Sequence, residues 1–168
     1  HEMLEKYPGY SFIYTDGSKD GERVGSAAVF GASAKQRRLP KWTSIFTAEL
    51  VAVILALDHV EESAMDKHLI LSDSLSSLQA INNTTWESPM VQLVLEKYHF
   101  LTTQSKTIEF AWVPSHVGIH GNEMADIAAN AALDFPMSDH QIPCTDFKQD
   151  INAHFRKVWQ LDWDNCLT

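Results

Sequence analysis

Apolar positions recur along this chain in two rhythms, every second residue in some stretches and every third or fourth in others. The change of rhythm divides the chain into elements. Tyr10 to Thr15 is aromatic, β-branched or small and predicts a strand; residues 25–30 predict a second and residues 36–42 a third. Asp20-Gly21 between the first two is a hairpin signal. From Ser44 to Glu62 the rhythm is helical: Ile45, Glu49, Ala52, Val53, Ala56 and Leu57 share a stripe, and Thr43 or Ser44 can cap the start. Residues 68–72 form a short apolar run ending at Asp73, which suits a buried parallel strand. A short helix follows over 74–82, and Pro89 opens another that runs to about Gln104. Residues 107–113 put Ile108, Phe110 and Trp112 on one face and Glu109 on the other, the pattern of a strand. An Ala-rich helix begins at Asn122 and runs to about Leu133. After a polar connection, Asp146 to Trp163 is amphipathic, with Phe147, Ile151, Phe155, Val158 and Trp159 on one side. That face needs a cover, either this domain's own surface or a neighbour.

Three strands in succession, then alternating helices and strands, predict a mixed α/β sheet with helices packed on it. The expected organisation is an N-terminal extension at 1–9, one catalytic-sized domain at 10–134, and a linker with a C-terminal helix at 135–168. The longest apolar run, Leu50 to Leu57, is too short to cross a bilayer. The first residues have no basic start followed by an apolar core, so no signal peptide is read there. The expected location is therefore intracellular, cytoplasm or nucleus, with no membrane partner. The absence of a Met before His1 is read as the mark of a piece of a longer polypeptide or of an added remnant. Cys144 and Cys166 lack a disulfide framework and read as free thiols.

The formal net charge of −9 argues against a phosphate polymer as partner. The distribution qualifies this, because four of the 13 basic residues (Lys35, Arg37, Arg38, Lys41) fall in one stretch where a polyanion could dock. Four acids also stand where solubility does not require them. Asp16 ends the first strand, Glu49 lies among apolar helix residues, Asp73 ends the 68–72 strand, and Asp126 is one turn inside the Ala-rich helix. Each has a plainer reading: an Asp-Gly turn, a misjudged helix face, an N-cap, a solvent acid. Together they fall at strand ends and inward helix faces of one sheet. Buried carboxylates need a positive partner, and an all-oxygen donor set selects Mg²⁺ or Mn²⁺ over Zn²⁺. The segment 113–122 adds a glycine-flanked loop with two histidines. It is either a surface loop or the carrier of a histidine that moves protons beside the acids. A zinc site at His116 and His120 lacks further ligands.

The segments YTDGSK (14–19), TAEL (47–50), LSDS (71–74) and WVPSHVGIHGNEMAD (112–126) resemble the type 1 ribonuclease H family, the last most of all the ribonuclease H domains of non-LTR retrotransposon polyproteins. The resemblance covers about Tyr10 to Leu133. It implies a five-stranded mixed sheet, three strands antiparallel and two parallel, with helices on both faces. It implies Asp16, Glu49, Asp73 and Asp126 as metal-binding catalytic acids and His116 as the catalytic loop histidine, with no role for His120. It further implies two Mg²⁺ ions (Mn²⁺ as substitute), an RNA–DNA hybrid as substrate, and a tethered reverse transcriptase domain. The isolated domain is expected to be a monomer. Ser18, Lys19, Arg37, Arg38 and Ser74 are candidate substrate contacts. Alternatives are a free-standing cellular enzyme of this kind and a non-catalytic hybrid-binding module on the same fold. Two features depart from the family. Residues 83–106 hold only Lys97 and Lys106 where some members have a Lys-rich hybrid-gripping segment, and Ile45 and Phe46 stand where Asn is frequent.

Overall fold

The computed structural model describes residues 6–83, 88–139 and 141–166, so the expected N-terminal extension lies partly outside the described residues. Gly21, with φ +59°, turns the chain so that β1 (Ser11–Asp20) runs back as β2 (Arg23–Phe30), and Gly31 at φ +58° does the same into β3 (Ser33–Leu39). Then come helix α1 (Ile45–Glu62), strand β4 (Lys67–Ser72), helices α2 (Leu75–Asn82) and α3 (Pro89–Thr103), strand β5 (Thr107–Trp112) and helix α4 (His120–Ala132). A 3-10 turn at Cys144–Asp146 leads into α5 (Phe147–Cys166). The strands form one sheet in the order β3-β2-β1-β4-β5, antiparallel on the β3-β2-β1 side and parallel from β1 to β5.

Helix α1 is buried from Thr47 through Leu57, because it contacts β1 and β2 on one side and α3 on the other. A helix enclosed on both sides is apolar around its whole circumference, which its sequence allows. Ile13, Val24, Ala28 and Ile70 meet it from one face of the sheet; Leu69, Leu71 and Val113 form a second cluster with Phe12 and Tyr14. Helix α4 lies against β1, β2 and β3, close enough that a Cβ on Gly25 would sit 2.5 Å from the Ala129 carbonyl oxygen. Ile45, placed on the buried stripe by its spacing, is 47% exposed.

Parallel pairing of β1 with β4 ends at Thr15 opposite Ser72. Asp16, within β1, and Asp73, just past the end of β4, therefore stand side by side one residue beyond the last parallel pair, at the edge where open α/β sheets place their sites.

The C-terminal helix does not fold back onto this body. Ile151, Phe155 and Trp159 are 51%, 59% and 75% exposed, and every described side chain from Lys148 to Cys166 is exposed. The attachment lies at its start. Asp146 accepts hydrogen bonds from the Ser44 N–H (2.9 Å) and from the Ser44 and Thr47 hydroxyls, and Phe147 packs on Trp42 with ring centroids 5.1 Å apart. A carboxylate on the first turn of α1 satisfies free N–H groups and opposes the helix dipole. Removing residues 148–168 is expected to leave the melting temperature unchanged, whereas Asp146→Ala costs about 1 kcal/mol, roughly 2–4 °C in a domain of this size. Thermal melts of the two variants check this, and a reversed order would show that α5 packs on the body.

Candidate catalytic site

Asp16 and Glu49 are buried, 7% and 8% exposed, and Asp73 is half-buried. One carboxylate oxygen from each lies within 4.8 Å of the others. The approach of α1 that brings Glu49 here depends on Gly17. A Cβ at that position would stand 2.7 Å from the Glu49 backbone nitrogen and 2.9 Å from the Ala48 carbonyl carbon. Beside it, Ser26 donates its hydroxyl to the Ala48 carbonyl at 2.6 Å and pins the same turn to β2. The Gly17 backbone N–H favours the charged forms of both the Asp16 and Glu49 carboxyls.

That single donor does not offset the enclosure. Burial, then the neighbouring Asp73 and Asp126 charges, push the Asp16 carboxyl up from 3.8 to about 7. Burial, then Asp16 and Asp73, push Glu49 up from 4.5 to about 9. Glu49 Oε2 is buried with no hydrogen-bond partner. The described residues lining the surrounding cavity of about 340 Å³ include Asp16, Glu49, Asp73, Ser74, His116 and Asp126, and no lysine or arginine. Three converging carboxylates, one with an orphaned oxygen, fit a hard divalent cation. The plainer readings of three of the acids fail on geometry: Asp16-Gly17 is strand, Glu49 is interior, and the N-cap of α2 is Ser74.

Asp126 lines the same cavity but stands apart from the trio, its Oδ1 accepting the Asn130 amide at 2.9 Å. His116 is exposed on the loop between β5 and α4 at φ +54°, a left-handed setting uncommon for a residue with a Cβ. Gly118 in that loop ties it to α4 by donating its N–H to Glu123.

Of the five candidate substrate contacts, Ser74 lines the cavity, and its hydroxyl is 2.8 Å from that of Ser77. The other four lie outside the lining. The Ser18 hydroxyl donates to Asn130 Oδ1 at 2.6 Å, and Lys19 donates to the Thr43 carbonyl at 2.8 Å. The basic stretch is divided by strand alternation. Arg38 donates to the Leu133 carbonyl beside α4, whereas Lys35 and Arg37 line a depression with Asp58 and Glu61 of α1. Lys35 and Lys41 are paired with Glu62 and Glu22.

Two asparagines escaped the sequence reading. Asn122 donates its amide to Asp73 Oδ2 at 3.0 Å, and Asn130 bonds Asp126. Asparagine at a helix start reads as a cap and on a helix as solvent-facing. The available signal was the position of Asn130 four residues after Asp126, one turn on along the same face.

Residues 9–134 match the RNase H family model. The Pol polyprotein of equine infectious anemia virus (strain Wyoming) is 33% identical over 138 residues, covering 76% of this chain and 11% of that polyprotein. The Pol polyprotein of isolate 1369 of the same virus is 32% identical over the same extents. The chain thus spans 11% of the length of these curated relatives. Among solved structures, the N-terminal RNase H domain of a Mycobacterium tuberculosis protein, fused to maltose binding protein, matches with a TM-score of 0.60 at 22% identity, covering 74% of this chain and 94% of that one. RNase H1 of the archaeon Halobacterium salinarum matches at 0.57 and 24% identity, over 75% and 98%. LC11-RNase H1 in complex with an RNA/DNA hybrid matches at 0.60 and 19% identity, over 74% and 96%. These structural likenesses carry the fold.

Proposed function

The chain belongs to the RNase H family, and we propose that it hydrolyses the RNA strand of RNA–DNA hybrids endonucleolytically, with two divalent cations held by Asp16, Glu49, Asp73 and Asp126. The observation that carries this reading is the trio of carboxylates within 4.8 Å of one another, two buried and one half-buried, without a lysine or arginine in the described cavity lining. Family membership makes the chain a ribonuclease H-type hydrolase. Mg²⁺ or Mn²⁺, when bound, supplies charge neutralisation at the phosphate and an acidified water.

Asp16 interacts electrostatically with the three other acids and is the carboxylate suited to be shared between the cations. Glu49 and Asp73 complete the buried side, and Asp126, released from Asn130, completes the exposed side. In the reaction an oxygen from water bonds to phosphorus and the bond to the 3′ oxygen breaks, leaving 5′-phosphate and 3′-hydroxyl ends. His116, exposed at the rim, passes a proton to the departing 3′ oxygen. Ser74, which lines the cavity, would contact a 2′-hydroxyl, the group that separates RNA from DNA. The Pol polyprotein relatives support a tether to a reverse transcriptase domain, which would raise the effective concentration of hybrid for an acidic domain.

Incubation with end-labelled hybrid, duplex RNA and duplex DNA in Mg²⁺ tests this. Cutting of the RNA strand of the hybrid alone is expected, and equal cutting of duplex DNA would sink the assignment. His116→Ala is expected to lower kcat by about 10²–10⁴-fold with partial recovery in imidazole buffer, read by single-turnover kinetics. An unchanged kcat removes the proton-transfer role.

A further inference from the structure

The Asp73 main chain is held from two sides: its carbonyl accepts the Trp112 indole N–H at 3.1 Å and the Leu75 N–H at 3.0 Å. Neither contact sets the rotation of the carboxylate. The Asn122 amide does, by donating to Oδ2 at 3.0 Å.

Asn122 is 3% exposed, and its Oδ1 is buried without a hydrogen-bond partner. An orphaned buried carbonyl is costly, so the side chain is not there to satisfy its own polarity. Its location is enforced by Gly121. A Cβ on that residue would lie 2.2 Å from the Tyr14 ring, so the first turn of α4 presses on β1 and brings residue 122 against the end of β4. We propose that Asn122 is a positioning residue that orients the Asp73 carboxylate for cation binding. Its amide N–H takes one oxygen and fixes the plane in which the group meets Asp16 and Glu49. A donor is required at this place, because Asp73 is already beside two other carboxylates.

This inference rests on the cation-binding reading of the trio, and the experiment separates the two. Mn²⁺ binding by calorimetry and the metal-free melting temperature are measured for wild type, Asn122→Leu and Asn122→Ala. Loss of an orienting hydrogen bond behind a metal ligand costs about 10–100-fold in affinity. That loss is expected in both variants, along with a raised Mg²⁺ requirement for cleavage and partial recovery of kcat at saturating Mg²⁺. A purely structural residue would lower the melting temperature with Mn²⁺ affinity within twofold of wild type, and that result overturns the proposal. Wild type that takes up no Mn²⁺ overturns the cation-binding reading itself, and the proposal with it. Should both variants fail to fold, the Asn122 side-chain amide resonances of isotopically labelled wild type decide. They are expected to shift on Mg²⁺ titration, and resonances insensitive to Mg²⁺ overturn the proposal.

Discussion

Asp16→Asn is expected to lower hybrid cleavage by about 10³-fold or more while raising the melting temperature of the metal-free protein at pH 8. The two effects have one cause. Asp16 is buried against Glu49 and near Asp73 and Asp126, so its charge is held at a cost that only a cation relieves. An amide keeps the shape but gives up the negative charge that two cations would share. Several kcal/mol of transition-state stabilisation go with it, and each 1.36 kcal/mol is tenfold in rate. In the metal-free fold the same replacement removes an unfavourable charge. The gap between 3.8 and about 7 at Asp16 corresponds to on the order of 4 kcal/mol, part of which the desolvated amide gives back. A rise of roughly 5 °C is the expected net result. Single-turnover cleavage and metal-free thermal melts measure both. Near-normal cleavage by the folded variant would remove Asp16 from the metal site, and a lower melting temperature would refute the charge-strain account.

The elements with a strong local rhythm were legible, and so were the acids that interrupt apolar runs. Helix α1 was readable because its apolar residues outnumber any alternative, although Ile45 was assigned inward and lines the cavity instead. β1 was cut short at Thr15 because DGSKD resembles a turn, yet pairing with β2 continues to Asp20 opposite Arg23. The sequence points to β3 at 36–42, and the strand lies at Ser33–Leu39, since its residues have little rhythm of their own and take their register from β2. That displacement matters for function. Read linearly, Lys35, Arg37, Arg38 and Lys41 make a patch, but a strand sends consecutive side chains to opposite faces, and the structure ties Lys35, Arg38 and Lys41 to separate neighbours. The sequence pattern starts the Ala-rich helix at Asn122, whereas the helix begins at His120. Asn130 lies one helical turn from Asp126, a local spacing, whereas the role of Asn122 depends on which carboxylate lies across the gap, a long-range contact that no local pattern encodes. The C-terminal helix was recognised as amphipathic, but amphipathicity does not name the surface that covers it.

Between pH 7 and 9 the metal-free protein is expected to lose about 10 °C of melting temperature, and Mg²⁺ is expected to restore most of it. Asp16 and Glu49 have folded-state pKa values raised from 3.8 and 4.5 to about 7 and about 9. A carboxyl raised in this way favours folding while it is protonated in the native state. Its contribution is complete below the unfolded value and is lost as pH climbs through the folded one. The loss therefore runs from about pH 4 to about pH 9, and its last part, chiefly that of Glu49, falls in the range of the assay. His59 and His68 act in the opposite sense. Burial lowers both from 6.5, so they stay neutral in the fold and withdraw stability as pH falls below that value. Above pH 7 they are neutral in both states, which leaves the decline there to the carboxylates. Cation binding adds about 2.7 kcal/mol when the free ion is a hundredfold above its dissociation constant, roughly 5–10 °C here, and adds more at pH 9, where the ligands are ionised. Melting curves at pH 7, 8 and 9, with Mg²⁺ and with NaCl matched for ionic strength, separate binding from screening. Asp16→Asn should flatten the pH dependence and shrink the Mg²⁺ shift. A wild-type melting temperature flat across that range without metal, or restored equally by NaCl, would mean that the trio is neither strained nor a cation site.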